Sequence, residues 1–140
     1  MTTSADEWLW KAHNFIEDAK LLVRQSNQAT GSLGPGVGLL AWQGVEDSLK
    51  AVCAGHNFPL SHDLSKIMEH IKANSLMTDE ELGKISEAAK IVTGSATYND
   101  TRYPENNRNW WENMSENKLN EVTEAAQSIF EICARKIGSW

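Results

Sequence analysis

The stretch from Leu119 to Ile137, LNEVTEAAQSIFEICARKI, decides the fold class. Leu119, Val122, Ala126, Ile129, Cys133 and Ile137 recur every three or four positions, with Phe130 beside them. That spacing puts them on one face of an α-helix, with glutamates and basic residues on the other. Working towards the N-terminus, Tyr98 to Met114 is polar, aromatic and aperiodic, with Pro104 inside it. Before it, Thr78 and Glu81 have the form of a capping box, which opens a helix through Leu82, Ile85, Ala89 and Val92. Gly94 lies either inside that helix or at its end. Leu64, Ile67, Met68 and Ile71 mark a shorter helix, reached by a tight connection from His56 to Ser61 that holds Pro59.

A helix is expected over roughly Val37 to Ala54, with Leu40, Ala41, Val45, Leu49 and Val52 on one side. Gly55 is its stop, because glycine adopts the left-handed conformation without strain. Ser26 to Gly36, rich in Gly, Ser and Asn, reads as a loop. The first helix starts at a second capping box, Ser4 with Glu7, and runs to about Gln25. Its apolar face carries Trp8, Ala12, Phe15, Ala19 and Leu22, flanked by Leu9, Ile16 and Val23. No stretch alternates with a period of two, so no strand is expected.

Helices that are apolar on one face only must bury those faces against one another. The expected fold is therefore all-α: an up-and-down antiparallel bundle of about five helices, forming a single domain over residues 1–140. Each large stripe residue contributes ~1.5–3 kcal/mol on burial, which together offsets the entropy of ordering the chain. The 41% hydrophobic and 23% charged content fits such a core and not a disordered chain.

A net charge of −6 argues against generalised binding to nucleic acid or to an anionic membrane through whole-protein attraction, while leaving room for a local basic patch, and no DNA partner is expected. The acidic N-terminus has no signal-peptide pattern, and the apolar run around Val37 to Trp42 is too short to cross a bilayer. A cytoplasmic protein is expected. The two cysteines, Cys53 and Cys133, fall inside helices and read as buried thiols.

Several reaction classes lack their motifs. Gly34-Pro35-Gly36-Val37-Gly38 precedes a helix, but no strand leads into it and no Walker lysine follows, so it reads as a flexible helix entry. No glutamate is followed three residues later by histidine, as a carboxylate-bridged di-metal bundle requires. His56, His62 and His70 lie near one another in sequence, with His62 and Asp63 placed to cap a helix and the other two at the surface. No metal and no cofactor is expected.

Asn99 to Glu105 is the stretch richest in candidate chemistry. Arg102 offers a planar fork to a phosphate or carboxylate, and Tyr103 offers a ring to a base. The competing structural account pairs Arg102 with a helix carboxylate and sets Tyr103 in a groove. Trp110 and Trp111 are adjacent, so on a helix their rings point about 100° apart. One is expected to pack inward and the other to cover a neighbouring surface or a partner subunit. Trp8, Trp10 and Trp42 are most simply core residues.

Four elements, in order along the chain, carry a family resemblance. Trp42-Gln43-Gly44-Val45-Glu46-Asp47-Ser48-Leu49-Lys50-Ala51 resembles the second-helix signature of HEPN domains, and Ala19-Lys20-Leu21-Leu22 the end of their first helix. His62-Asp63-Leu64 resembles the opening of their third helix, and Thr101-Arg102-Tyr103-Pro104 an Arg-Tyr-Pro element after the fourth. The resemblance implies a helical bundle that usually forms a homodimer, often beside a small nucleotidyltransferase partner. It also points to a toxin–antitoxin or defence-type system.

Many HEPN domains are metal-independent RNases that use an arginine followed, after four to six residues, by a histidine. Here Arg102 is followed by Tyr103, Pro104, Glu105, Asn106, Asn107, Arg108 and Asn109, and no histidine occurs after His70. The expectation is a non-catalytic module, with Arg102, Tyr103 and Arg108 as groove residues binding a nucleotide, an RNA or a protein partner. Trp110 and Trp111 are the candidate interface residues. The rival expectations are a ribonuclease with a rearranged site that borrows His62 or His56, and a purely structural interaction bundle.

Overall fold

The computed structural model describes residues 4–25, 33–56, 58, 61–94, 111–112 and 114–138. Among the described residues five helices make up the architecture: α1 (Ala5–Gln25), α2 (Gly34–Cys53), α3 (Leu64–Ala73), α4 (Asp79–Thr93) and α5 (Glu116–Ile137). No strand occurs among the described residues. The all-α bundle expected from the periodicity is the observed fold.

The helix ends follow from local chemistry. Ser4 Oγ accepts from Glu7 N–H at 3.2 Å, and Ser115 Oγ accepts from Lys118 N–H at 3.3 Å. At α4 both halves of the capping box form, Thr78 Oγ1 accepting from Glu81 N–H and Glu81 Oε1 from Thr78 N–H. Gly94 closes α4 and Gly138 closes α5, both left-handed, and Gly55 just beyond α2 is left-handed as expected. Asp63 caps α3, its Oδ1 accepting from Ser65 N–H at 3.0 Å.

Two sequence expectations shift. Helix α2 begins at Gly34, inside the stretch assigned to a loop, because Pro35 sits in the first turn, where its missing N–H has no partner to lose. On α1 the buried seam is Leu9, Ala12, Ile16, Ala19 and Val23 rather than the stripe centred on Trp8 and Phe15. The apolar face is broad enough to fit either registry. The close approach of α2 selects one of them.

Helix α2 is the centre of the bundle, with α1, α3, α4 and α5 all packed on it. Ile16 meets Gly44 and Leu22 meets Gly36, so α1 runs antiparallel to α2. His13 lies beside Phe130 and Lys20 bonds to Gln127, so α1 and α5 are also antiparallel. A Cβ at Gly44 would stand 2.5 Å from Ile16 Cγ1, so that glycine is what lets α1 and α2 approach. The main core joins all five helices around Trp42, Ile67, Ile85 and Ile129, and a smaller cluster of Ala19, Val23, Val37 and Leu119 seals one end.

Candidate functional site

A helix enclosed on most sides must bury even its polar positions, and α2 buries three charged ones. Glu46, Asp47 and Lys50 are 1%, 4% and 5% exposed. Glu46 and Lys50 lie four residues apart, the spacing that stacks side chains on one helix face, and Lys50 Nζ donates to Glu46 Oε2 at 2.9 Å. Removed from water, such ions are held only while their hydrogen bonds are complete. The second bond comes from His62, just before α3. Its Nδ1 lies 3.0 Å from Glu46 Oε2 and 3.2 Å from Oε1. A carboxylate only accepts, so Nδ1 carries the proton, and the exposed ring keeps Nε2 for another partner.

Helix α1 closes the opposite wall. Lys50 Nζ stands 5.2 Å from the Trp8 ring centroid and Lys11 Nζ 4.8 Å from it, so two ammonium groups share one indole. Between these walls lies a cleft of about 580 Å³, bordered by Trp8, Trp10, Lys11, Asp47, Lys50 and His62. Trp10, expected in the core, is 62% exposed at its edge. Position 10 falls outside the α1 seam, which runs through Leu9 and Ala12.

Burial raises the Asp47 carboxyl to about 6, with the neighbouring Glu46 charge adding to the rise and Lys50, Lys11 and His62 opposing it. Burial likewise pushes the Cys53 thiol up to about 12 and the Cys133 thiol still higher. Both are inert packing groups under ordinary conditions.

The structure places the other expected residues as follows. Arg102, Tyr103, Arg108 and Trp110 lie outside the described residues. Trp111 is the tryptophan that packs inward, at 1% exposure. Its Nε1–H donates to the Val92 carbonyl at 2.8 Å, and its ring meets Trp42 edge-on with centroids 6.2 Å apart. A methyl group at Gly38 would fall on the Trp111 ring, so the Gly-rich opening of α2 is a seat for an indole. Trp111 is therefore buried within the single chain.

His62, expected to help cap α3, instead holds Glu46, and Asp63 supplies the cap. His56 is exposed, and the His70 ring rests 4.6 Å from Phe58. Sequence reasoning missed Asp47 and Lys50 as cleft groups. The available signal was a charged pair four residues apart inside a helix that is apolar on nearly every other side.

Among the described residues no three His, Cys, Asp or Glu side chains gather as a metal site would require, and no helix is long and apolar enough to cross a membrane. A second, larger groove runs between α4 and α5, lined by Ala88, Ile91, Val122, Ala125 and Ile132 together with lysines and glutamates.

Residues 5–137 match the family model of the HEPN domain. The chain belongs to the HEPN family. No curated protein and no solved structure matches it. In this HEPN domain the match spans all five described helices.

Proposed function

We propose that this HEPN domain is a non-catalytic binding module, working as a homodimer, that engages a nucleotide, an RNA or a nucleotidyltransferase-type partner in a toxin–antitoxin or defence-type system. One observation carries the reading: the Arg102-Tyr103-Pro104 element is present, and no histidine follows His70 to act as its proton-transfer partner. An arginine without that partner still binds phosphate or carboxylate through its fork. The test is thermal stability against a panel of nucleotides and short RNAs, with Arg102→Ala beside the wild type. A ligand present at 100 times its dissociation constant adds ~2.7 kcal/mol, which is read as a rise in Tm. A rise in the wild type that disappears in Arg102→Ala supports the reading. Loss of folding in that variant makes the arginine structural and removes the assignment.

A second reading is favoured by the His62–Glu46 contact of 3.0 Å. A carboxylate that holds one ring nitrogen leaves the other poised as a base, the geometry used in nucleophilic and general-base sites. On this reading the domain is a ribonuclease with a rearranged site, in which Arg102 or Arg108 stabilises charge on the phosphate. Incubation with mixed RNA in the presence of a chelator separates the two readings. Cleavage that vanishes in His62→Ala supports the nuclease, and intact RNA at high protein concentration removes it.

A further inference from the structure

The cleft between α1 and α2 contains one acceptor that nothing satisfies. Both Glu46 oxygens already have partners in Lys50 and His62. Asp47 is 4% exposed and lines the cleft, and no hydrogen bond or ion pair reaches its carboxyl among the described residues. Among the described residues the fully buried polar side-chain atoms without a partner are Trp42 Nε1 and His70 Nε2, so the Asp47 oxygens retain access to the cleft. Both faces of the problem are set: the carboxyl has two acceptor oxygens and no donor, in a space of about 580 Å³, within the ~300–1,000 Å³ typical of small-molecule sites.

The surrounding charges narrow the class of ligand. Asp18, Glu46 and Asp47 are set against Lys11, Lys50 and His62, so the cleft carries no strong excess of either sign. A free cation would meet the two ammonium groups over Trp8, and a phosphate placed at Asp47 would meet its carboxylate. Trp8 is already covered by those ammonium groups, whereas Trp10, 62% exposed, presents an open ring at the mouth. A neutral, planar group with two adjacent donors fits. Among the common nucleobases, guanine alone offers an imino N–H beside an amino group on one edge. Adenine and cytosine set a ring-nitrogen acceptor beside their amino group, and uracil flanks its N–H with two carbonyls.

We propose that this cleft is a guanine site, in which Asp47 accepts from the N1–H and 2-amino groups and Trp10 stacks on the ring. The proposal rests on the domain being a nucleotide or RNA binder, but it places the base on residues independent of the Arg102 loop. Guanine can come from a free nucleotide or from a single-stranded RNA, and the base contacts are the same for both.

The experiment is calorimetric titration of the full chain with GMP, IMP and AMP, and with short single-stranded RNAs that differ by one G or A. Wild type, Asp47→Asn, Trp10→Ala and Arg102→Ala are compared, with Tm as a folding control. GMP is expected to bind roughly tenfold or more tighter than AMP, the discrimination of one bidentate base contact, with IMP between them because it lacks the 2-amino group. Asp47→Asn should erase the preference while keeping the fold, and Trp10→Ala should weaken all bases alike. Tight binding of GMP itself identifies a free nucleotide as the source, and binding only of G-containing oligomers identifies RNA. Guanine selectivity kept in Arg102→Ala but lost in Asp47→Asn supports this site and removes the Arg102 assignment. Binding lost in Arg102→Ala and untouched by Asp47→Asn overturns this site and leaves the Arg102 reading standing. Equal affinity for GMP and AMP, or no binding of any guanine ligand, overturns it outright.

Discussion

Glu46 and Lys50 form an ion pair of 2.9 Å with side chains only 1% and 6% exposed. At the surface a pair four residues apart contributes a few tenths of a kcal/mol. Inside, desolvation makes each ion dependent on the other, so losing one partner costs more than the pair contributes. Glu46→Ala should therefore destabilise the domain by about 3–5 kcal/mol, and Glu46→Met with Lys50→Met together by much less. Urea unfolding of the two variants checks it. A double variant no more stable than Glu46→Ala would mean that the charges themselves support the fold.

The seating of Trp111 on Gly38 makes a second prediction. Ordinarily Gly→Ala inside a helix stabilises by up to about 1 kcal/mol. Here the added methyl meets a rigid indole that is bonded to the Val92 carbonyl and packed edge-on against Trp42, so it cannot swing aside. Gly38→Ala should instead lower stability by about 1–3 kcal/mol, the usual cost of overpacking. Gly83, where nothing stands within 4 Å of an added Cβ, is the internal control and should show the ordinary gain on Gly83→Ala. Denaturant midpoints for both variants decide the matter.

How far the sequence carried the structure follows from where each signal is local. The capping box of Thr78 and Glu81, the stop at Gly55 and the α5 seam from Leu119 to Cys133 depend on neighbours within a few residues, and each stands where the spacing placed it. The α1 registry, the first turn of α2 and the setting of Trp10 depend on which helix lies opposite. The same is true of the charged cluster. In one dimension Glu46 and Lys50 are indistinguishable from a solvated surface pair, and only the cover of α1 and the return of His62 make them interior. Arg102, Tyr103 and Arg108, the residues singled out for ligand binding, fall outside the described residues, so the candidate cleft rests on other side chains.

The α4 cap gives a smaller effect with a pH signature. Thr78 Oγ1 accepts from Glu81 N–H at 3.1 Å, and Thr78→Ala should cost about 1 kcal/mol. The Thr78 backbone N–H holds the Glu81 carboxyl below its ordinary value of 4.5, with Lys136 assisting. A lowered carboxyl adds stability that is present above its unfolded value and is lost as pH falls through the folded one. The stability difference between wild type and Glu81→Gln should thus be full at neutral pH and shrink below about pH 4.5. A difference that stays constant from pH 7 to pH 3 would show that Glu81 acts through shape alone.

Asp47 carries the opposite sign. Its folded carboxyl is raised to about 6 from 3.8, so the native state holds that proton more tightly than the unfolded chain does. Stability then falls as pH rises between those values, and the full cost of the buried charge is present above pH 6. At ~1.4 kcal/mol per pH unit the cost is no more than about 3 kcal/mol, and the amide of Asn recovers only part of it because it too needs partners in the cleft. Asp47→Asn should therefore be the more stable protein above pH 6, with its advantage gone below about pH 4, as read from unfolding midpoints across the range. A cleft group that lowers stability in the unliganded protein has the energetic signature of a site kept for binding, where the usual exchange is stability for function. Equal stability of the two proteins at every pH would mean that Asp47 is solvated in the folded state, and would take away the unsatisfied acceptor on which the guanine site depends.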